Sequence, residues 1–257
     1  MDVILLINFK KILGVSALCI FTSTMFLGCN TAYIFTTSNL TQSSDNKNNS
    51  FTLSNDSVTY KNTKDNKTSK IPVISSDFAI LVNKQNSLNK DYSPKTVVPN
   101  VSSNSNVPVR YDIVDAVEKL FNDSKKAGLN LILVSGYRSY ETQSSIYNNN
   151  LKNKGEVWTS QFSAKPGQSE HQTGLALDIS SVSQGGGLYQ SFGETEEGKW
   201  LKENCSNYGF ILRFLEGKED ITGYTYEPWH FRYVGVEVAK YIMDNNLTFE
   251  EYLKSLE

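Results

Sequence analysis

Histidine is almost missing from this sequence. Of 257 residues only His171 and His230 carry an imidazole, so chemistry that needs one must use one or both. Cysteine is scarce as well. Cys19 and Cys29 lie near the N-terminus and Cys205 stands alone in the remainder, so no internal disulfide can form there and the fold must stand on its core. An excess of charge of one sign is also lacking: Lys+Arg 25 against Asp+Glu 27 leaves a formal charge of -2, and no nucleic-acid partner is expected. Rossmann-type glycines and internal repeats are absent. With 39% hydrophobic and 20% charged residues, the composition excludes a collagen, a coiled coil or a polytopic membrane protein and suits one globular domain with extras.

A long apolar run occurs once. Lys10 and Lys11 precede Ile12 to Gly28, broken only by Ser16, Thr22, Ser23 and Thr24, the charged-then-apolar layout of an export signal. The run stops at Gly28-Cys29, an arrangement in which cleavage leaves a lipidated cysteine as the mature N-terminus. The alternative is an uncleaved anchor, since about 17 apolar residues just span a bilayer. Either places the rest outside the membrane, attached through an N-terminal lipid or anchor. Residues 1–29 are therefore read as the signal. From Thr31 to Lys70, 22 of 40 residues are Ser, Thr or Asn, so residues 30–70 are expected to be a disordered polar tether. Residues 71–257 are the expected folded domain.

Within that domain, Asp112 can cap a helix in which Ile113, Ala116, Val117, Leu120 and Phe121 recur at helical spacing, ending before Gly128. Leu131 to Val134 reads as a buried strand. Ser139 can cap a second helix through about Asn148, followed by a polar loop to Pro166-Gly167. Leu175, Leu177 and Ile179 alternate with Ala176, Asp178 and Ser180, so a strand here points Asp178 away from its aliphatic face. Glu194 to Tyr208 reads as a helix stopped at Gly209, Phe210 to Leu212 as a strand, and Trp229 to Val234 as a strand with His230 and Arg232 on one face. Val236 to Met243 and Thr248 to Leu256 close the chain as helices, with Thr248 and Glu251 spaced as a capping box. Without regular βαβ spacing this is an α+β fold, a small antiparallel sheet flanked by helices with a metal site on the sheet face.

The chemistry gathers in two short stretches. Ser169-Glu170-His171-Gln172-Thr173-Gly174-Leu175-Ala176-Leu177-Asp178 carries a His and an Asp across a glycine turn, and Glu227-Pro228-Trp229-His230 follows downstream. Catalytic zinc usually takes three protein ligands from His and carboxylate and leaves a fourth position for water. His171, Asp178 and His230 supply that set. Glu227, three residues before His230, is placed to be a base near the metal without binding it. A single histidine is more often packed or solvated than ligating. The only two in the chain, each beside a carboxylate and each near a glycine or proline turn, are hard to explain by packing alone.

Ser135-Gly136-Tyr137-Arg138-Ser139, the Ser-x-His-x-x-Gly-x-Ala-x-Asp pattern at 169 to 178, and Glu227-Pro228-Trp229-His230 together resemble the three signature blocks of the VanY-type D-alanyl-D-alanine carboxypeptidases, in order and separation. Similarity extends upstream to Leu81-Val82-Asn83-Lys84 and Lys90-Asp91-Tyr92-Ser93-Pro94. The resemblance implies a Zn²⁺ peptidase that trims peptidoglycan stem peptides by removing a C-terminal D-alanine, and a monomer is expected. It makes His171, Asp178 and His230 the metal ligands, Glu227 the general base and acid, Arg138 the cation that neutralises oxyanion or substrate carboxylate, and Gln143 and Ser169 substrate-binding residues. Tyr137 fits core packing equally well, and the Trp229 ring is read as packing rather than a substrate contact. A D,D-carboxypeptidase is the expected activity. An L,D-carboxypeptidase acting on tetrapeptide stems, a cell-wall endopeptidase and a non-catalytic wall-binding domain remain alternatives. Cys205 reads as a small apolar filler, since no third histidine is there to activate it.

Overall fold

A computed structural model describes residues 49–53, 57–62 and 67–256. The signal and the first part of the expected tether lie outside these residues. Among the described residues no helix is long and apolar enough to cross a membrane. The tether expectation is corrected at its C-terminal end. Strands β1 (Asn49–Leu53), β2 (Ser57–Asn62) and β3 (Lys67–Pro72) form an antiparallel sheet with Phe51 opposite Tyr60 and Val58 opposite Ile71. Overall polarity hid the period-two alternation of Ser57-Val58-Thr59-Tyr60-Lys61. This sheet belongs to an N-terminal unit, and residues 77–253 form a second compact unit.

The second unit is the expected α+β fold. A two-residue ribbon, β4 (Thr96–Val97) with β5 (Val109–Arg110), leads into α1 (Val114–Lys126). Then follow β6 (Leu131–Ser135), α2 (Tyr140–Phe162), β7 (Ala176–Ser181), α3 (Glu196–Asn204), β8 (Phe210–Leu212), α4 (Glu219–Thr222), β9 (His230–Tyr233), α5 (Val236–Asp244) and α6 (Phe249–Ser255). The main sheet runs β6-β7-β9-β8, and every neighbour is antiparallel.

Register decides which side chains share a face. Leu177 lies opposite Phe231, which lies opposite Leu212, and Leu133 lies opposite Ile179. All five are buried in one apolar core with Val117, Leu120 and Phe121 of α1. Each such side chain contributes roughly 1.5–3 kcal/mol on leaving water. The other face receives Asp178 opposite His230, and Ser135 opposite Asp178 past a bulge in β6. The sheet thus spends one face on stability and the other on polar chemistry.

Local expectations hold at several ends. Ser139 Oγ accepts from the Thr142 amide at 3.1 Å, and Gly128 and Gly209 turn the chain with φ of 82° and 84°. Thr248 and Glu251 form the capping box reciprocally, the Thr248 amide donating to Glu251 Oε2 at 2.8 Å and the Glu251 amide to Thr248 Oγ1 at 3.1 Å. Asp112 is a correction: it accepts from Arg110 Nε and Nη2, both at 2.7 Å, and a single tight turn at Tyr111–Ile113 opens α1 instead. The polar stretch after Asn148 is another. It is helical to Phe162, with a break at Gly155. Its inward stripe of Ile146, Asn150, Lys154, Trp158 and Phe162 lines a cavity rather than the core, and Asn150 and Lys154 interrupt the apolar spacing that would have marked it.

Candidate metal centre

His171 sits on the tight turn Glu170–Thr173, which Gly174 ends at φ 68°. A Cβ at Gly174 would press on Arg110 at 3.1 Å, and one at Gly136 would collide with the Pro108 carbonyl. Those two glycines let the Ser135–Arg138 segment and the His171 turn each close on residues 107–110. His171 Nδ1 lies 2.7 Å from the Gly136 carbonyl, so it carries the proton and Nε2 is left with a lone pair free to bind a metal. That nitrogen is 3.2 Å from Asp178 Oδ2. His230 presents the opposite nitrogen. Its Nδ1 faces Asp178 Oδ1 at 3.1 Å, while Nε2 faces Glu170 Oε2 at 3.3 Å.

One ligand atom from each of His171, Asp178 and His230 lies within 4.8 Å of the others, and all three residues are buried. Among the described residues this is the only such cluster. Two imidazoles, each with its second nitrogen engaged elsewhere, and one carboxylate fit a zinc ion with a fourth position open. Burial acts against the His230 cation, but the hydrogen bonds to Asp178 and Glu170 push its pKa up to about 9. Burial lowers His171. For Asp178, burial works upward, yet the charge and hydrogen bonds of the imidazoles hold the carboxylate below its usual range.

Glu227 precedes β9, its amide donating to the Phe214 carbonyl at 3.2 Å, and its Oε2 lies 3.8 Å from His230 Nδ1. Burial, reinforced by the negative charges of Asp178 and Glu170, pushes its pKa up to about 7. Arg138 approaches from the β6 side, its amide bonded to the His171 carbonyl at 3.0 Å and its Nη2 3.8 Å from Asp178 Oδ2. The guanidinium is braced by Gln143 Oε1 and Ser135 Oγ, both at 2.9 Å. Gln143 in turn donates to the Ala164 carbonyl at 2.6 Å. Arg138, Gln143, Ser169, His171, Asp178, Glu227 and His230 all line one cavity of about 460 Å³. Trp229 both edges that cavity and packs against the core, whereas Tyr137 bonds Ser93 at 3.2 Å. Cys205 is fully buried in the core, and burial pushes its thiol up to about 12, as suits a filler.

Sequence reasoning missed two groups. Lys154, Trp158 and Phe162 of α2 line the far arm of the cavity, where a loop was expected. Glu170, Arg213, Arg232 and Glu250 form a buried ionic network behind His230. Burial works to raise Glu170, but Arg213 and Arg232 hold its carboxylate well below the usual range. A hint was present in Arg232 inside an apolar strand and Arg213 just after one.

The chain is similar to several known proteins. A putative carboxypeptidase of Bacillus subtilis (strain 168) is 49% identical over 182 residues, 68% of this chain and 67% of that protein. The solved structure of the LdcB LD-carboxypeptidase, a study of peptidoglycan recognition, matches at 48% identity and a TM-score of 0.66, covering 69% of this chain and 86% of that one. A mutant of the vancomycin-resistance D,D-pentapeptidase VanY, solved with Zn(II), matches at 34% identity and a TM-score of 0.59, covering 69% and 99%. The family model described as VanY, D-alanyl-D-alanine carboxypeptidase, matches residues 106–236, a span that opens just before β5 and takes in every residue of the metal cluster and Glu227. The chain belongs to the VanY D-alanyl-D-alanine carboxypeptidase family.

Proposed function

We propose that this chain is a zinc carboxypeptidase that releases the C-terminal D-alanine of peptidoglycan stem peptides. One observation carries the reading: the buried His171, Asp178 and His230 converge within 4.8 Å, with a carboxylate of pKa about 7, Glu227, at their edge. The Zn(II) held by the VanY relative supports zinc as the ion. When bound, zinc supplies a Lewis acid for the scissile carbonyl and makes water nucleophilic near neutral pH. Glu227 takes the proton of the attacking water and returns it to the leaving amine, a double duty that a pKa near neutrality serves well. Arg138 meets negative charge on the oxyanion or the terminal carboxylate with a planar fork of donors. Gln143 spends both ends of its amide inside the protein, on Arg138 and on Ala164, so it acts by holding Arg138. Ser169 lines the cavity beside the ligands, a place from which it can meet substrate.

Between the two D-alanine-releasing activities, we assign the L,D reaction on tetrapeptide stems, because the LdcB LD-carboxypeptidase is 48% identical and the D,D-pentapeptidase 34%. The family's description keeps D,D cleavage of pentapeptide stems, the first expectation from sequence, as the second reading. The basic and apolar N-terminal segment supports export, with lipidated Cys29 or an uncleaved anchor holding the enzyme on the outer face of the membrane, or secretion to the wall. The test is D-alanine release by the zinc-loaded chain from matched tetrapeptide and pentapeptide stems, with Glu227→Gln and a chelator as controls. Release from the tetrapeptide alone is expected. Release from the pentapeptide alone restores the D,D assignment, and release from neither overturns the carboxypeptidase reading.

A further inference from the structure

Behind the metal centre a chain of buried ion pairs leads from His230 to helix α6. Glu170 Oε1 accepts from Arg213 Nε at 2.8 Å and from Arg232 Nη1 at 3.0 Å, which leaves Oε2 for His230 Nε2 at 3.3 Å. Both arginine side chains are fully buried. Arg213 is clamped at its far end, Nη1 and Nη2 reaching the two carboxylate oxygens of Glu250 at 2.8 and 2.6 Å. Glu250 is steadied by Asn83 Nδ2 at 3.1 Å. Arg232 spends its remaining donors on the carbonyls of Phe78, Ile80 and Tyr233. Glu170 therefore cannot turn away from His230 without leaving a buried guanidinium short of a partner, an arrangement strongly resisted in low dielectric.

A metal-ligating imidazole is oriented by what its other nitrogen bonds, and such partners typically set metal affinity by 10–100-fold. His171 uses a backbone carbonyl for this, but His230 depends on a side chain. We propose that Glu170 is the positioning residue of His230, and that Arg213, clamped by Glu250 of α6, locks the Glu170 carboxylate against the His230 Nε2–H and so sets how tightly the centre holds zinc. The proposal rests on the reading of His230 as a zinc ligand through Nδ1. It gives α6, remote in sequence from every motif of the site, a share in metal retention.

The scarcity of histidine makes the test clean. In the ¹⁵N long-range spectrum of the histidine-labelled, zinc-loaded full chain only two rings appear. His230 should show zinc at Nδ1 and a slowly exchanging proton at Nε2, and His171 the reverse. Zinc affinity is then measured by competition with a chromophoric chelator for wild type, Glu250→Gln, and Glu170→Gln. Glu250→Gln should weaken zinc about tenfold and hasten exchange of the His230 Nε2 proton, with turnover at saturating zinc within about twofold of wild type. Glu170→Gln should weaken zinc further if it folds, and Glu250→Gln with the wild-type spectrum decides the matter if it does not. Zinc affinity and proton exchange unchanged in Glu250→Gln, whatever its melting temperature, would make the network merely structural and overturn the proposal. Zinc at His230 Nε2 also overturns it while leaving the ligand reading intact, whereas a wild-type spectrum with no zinc at His230 sinks both.

Discussion

Asp178 and His230 are direct cross-strand partners on β7 and β9, and their carboxylate and imidazole stand 3.1 Å apart on the face of the sheet away from the apolar core. Antiparallel pairing brings facing side chains to about 4.5–5.5 Å between Cβ atoms, so backbone register sets the spacing of two ligands before any metal arrives. Asp178→Asn keeps the shape and loses the charge. It should purify folded with far less than one zinc per chain and no D-alanine release, measured by elemental analysis beside a stem-peptide assay. His230→Ala should behave likewise; a full zinc equivalent in either variant contradicts the ligand assignment.

Glu227 lies 3.8 Å from His230 without a ligand's place in the cluster. Glu227→Gln should therefore retain zinc and lose turnover by about 10²–10⁴-fold, the usual worth of a positioned base. A base works ionised, so kcat/KM must fall as pH drops through its pKa. Burial pushes that value up to about 7, and a bound dication draws it down, so the acidic limb should have its midpoint at or below 7. A midpoint clearly above 7, or a Glu227→Gln enzyme with wild-type turnover, contradicts the role.

Much of the centre was legible because its chemistry is local in sequence: His171 and Asp178 flank one glycine turn, and Glu227 and His230 share one proline bend. Strand β7 was legible from the alternation around Leu175, Leu177 and Ile179, and the other three strands of the sheet from short apolar or aromatic runs. The ionic network was not, since Arg213 and Arg232 find Glu170 across 43 and 62 residues, distances over which a single sequence carries no pairing signal. The second half of α2 hid because Asn150 and Lys154 interrupt the apolar spacing of its inward stripe between Ile146 and Trp158, and Gly155 breaks the helix there. β1 to β3 hid because a composition argument weighs core volume and overlooks strand alternation in Ser- and Thr-rich sequence.

The capping box at α6 offers a stability test independent of metal. Thr248→Ala removes the acceptor of the Glu251 amide and should cost about 1 kcal/mol in urea unfolding with chelator present. The Thr248 amide, followed by Lys218, draws the Glu251 pKa below its ordinary value. A carboxylate with a depressed folded pKa stabilises above its unfolded pKa of roughly 4.3 and loses that contribution as pH falls through the folded value. Glu251→Gln should thus lower stability at pH 7, with the gap to wild type closing below about pH 4. A gap that is constant with pH would mean the charge of Glu251 contributes nothing.

Arg138 is held by two bonds of 2.9 Å, to Gln143 and Ser135, and the carboxylate of Asp178 lies 3.8 Å beyond. Lysine keeps the charge but presents a point rather than a fork, so it cannot bond Gln143, Ser135 and a substrate oxygen in one plane. Arg138→Lys should lose about 10²–10³ in kcat/KM, the range for removing one preorganised oxyanion donor. Gln143→Ala leaves the guanidinium in place with one brace fewer. Its loss should be smaller and fall on both kcat and KM, because a loosened Arg138 binds the substrate carboxylate less well and meets the transition state less squarely. If Gln143 instead bound substrate directly, Gln143→Ala in the Arg138→Lys background would add its full penalty. If it acts through Arg138, the double variant should be little worse than Arg138→Lys alone, and a double-mutant cycle on kcat/KM separates the two.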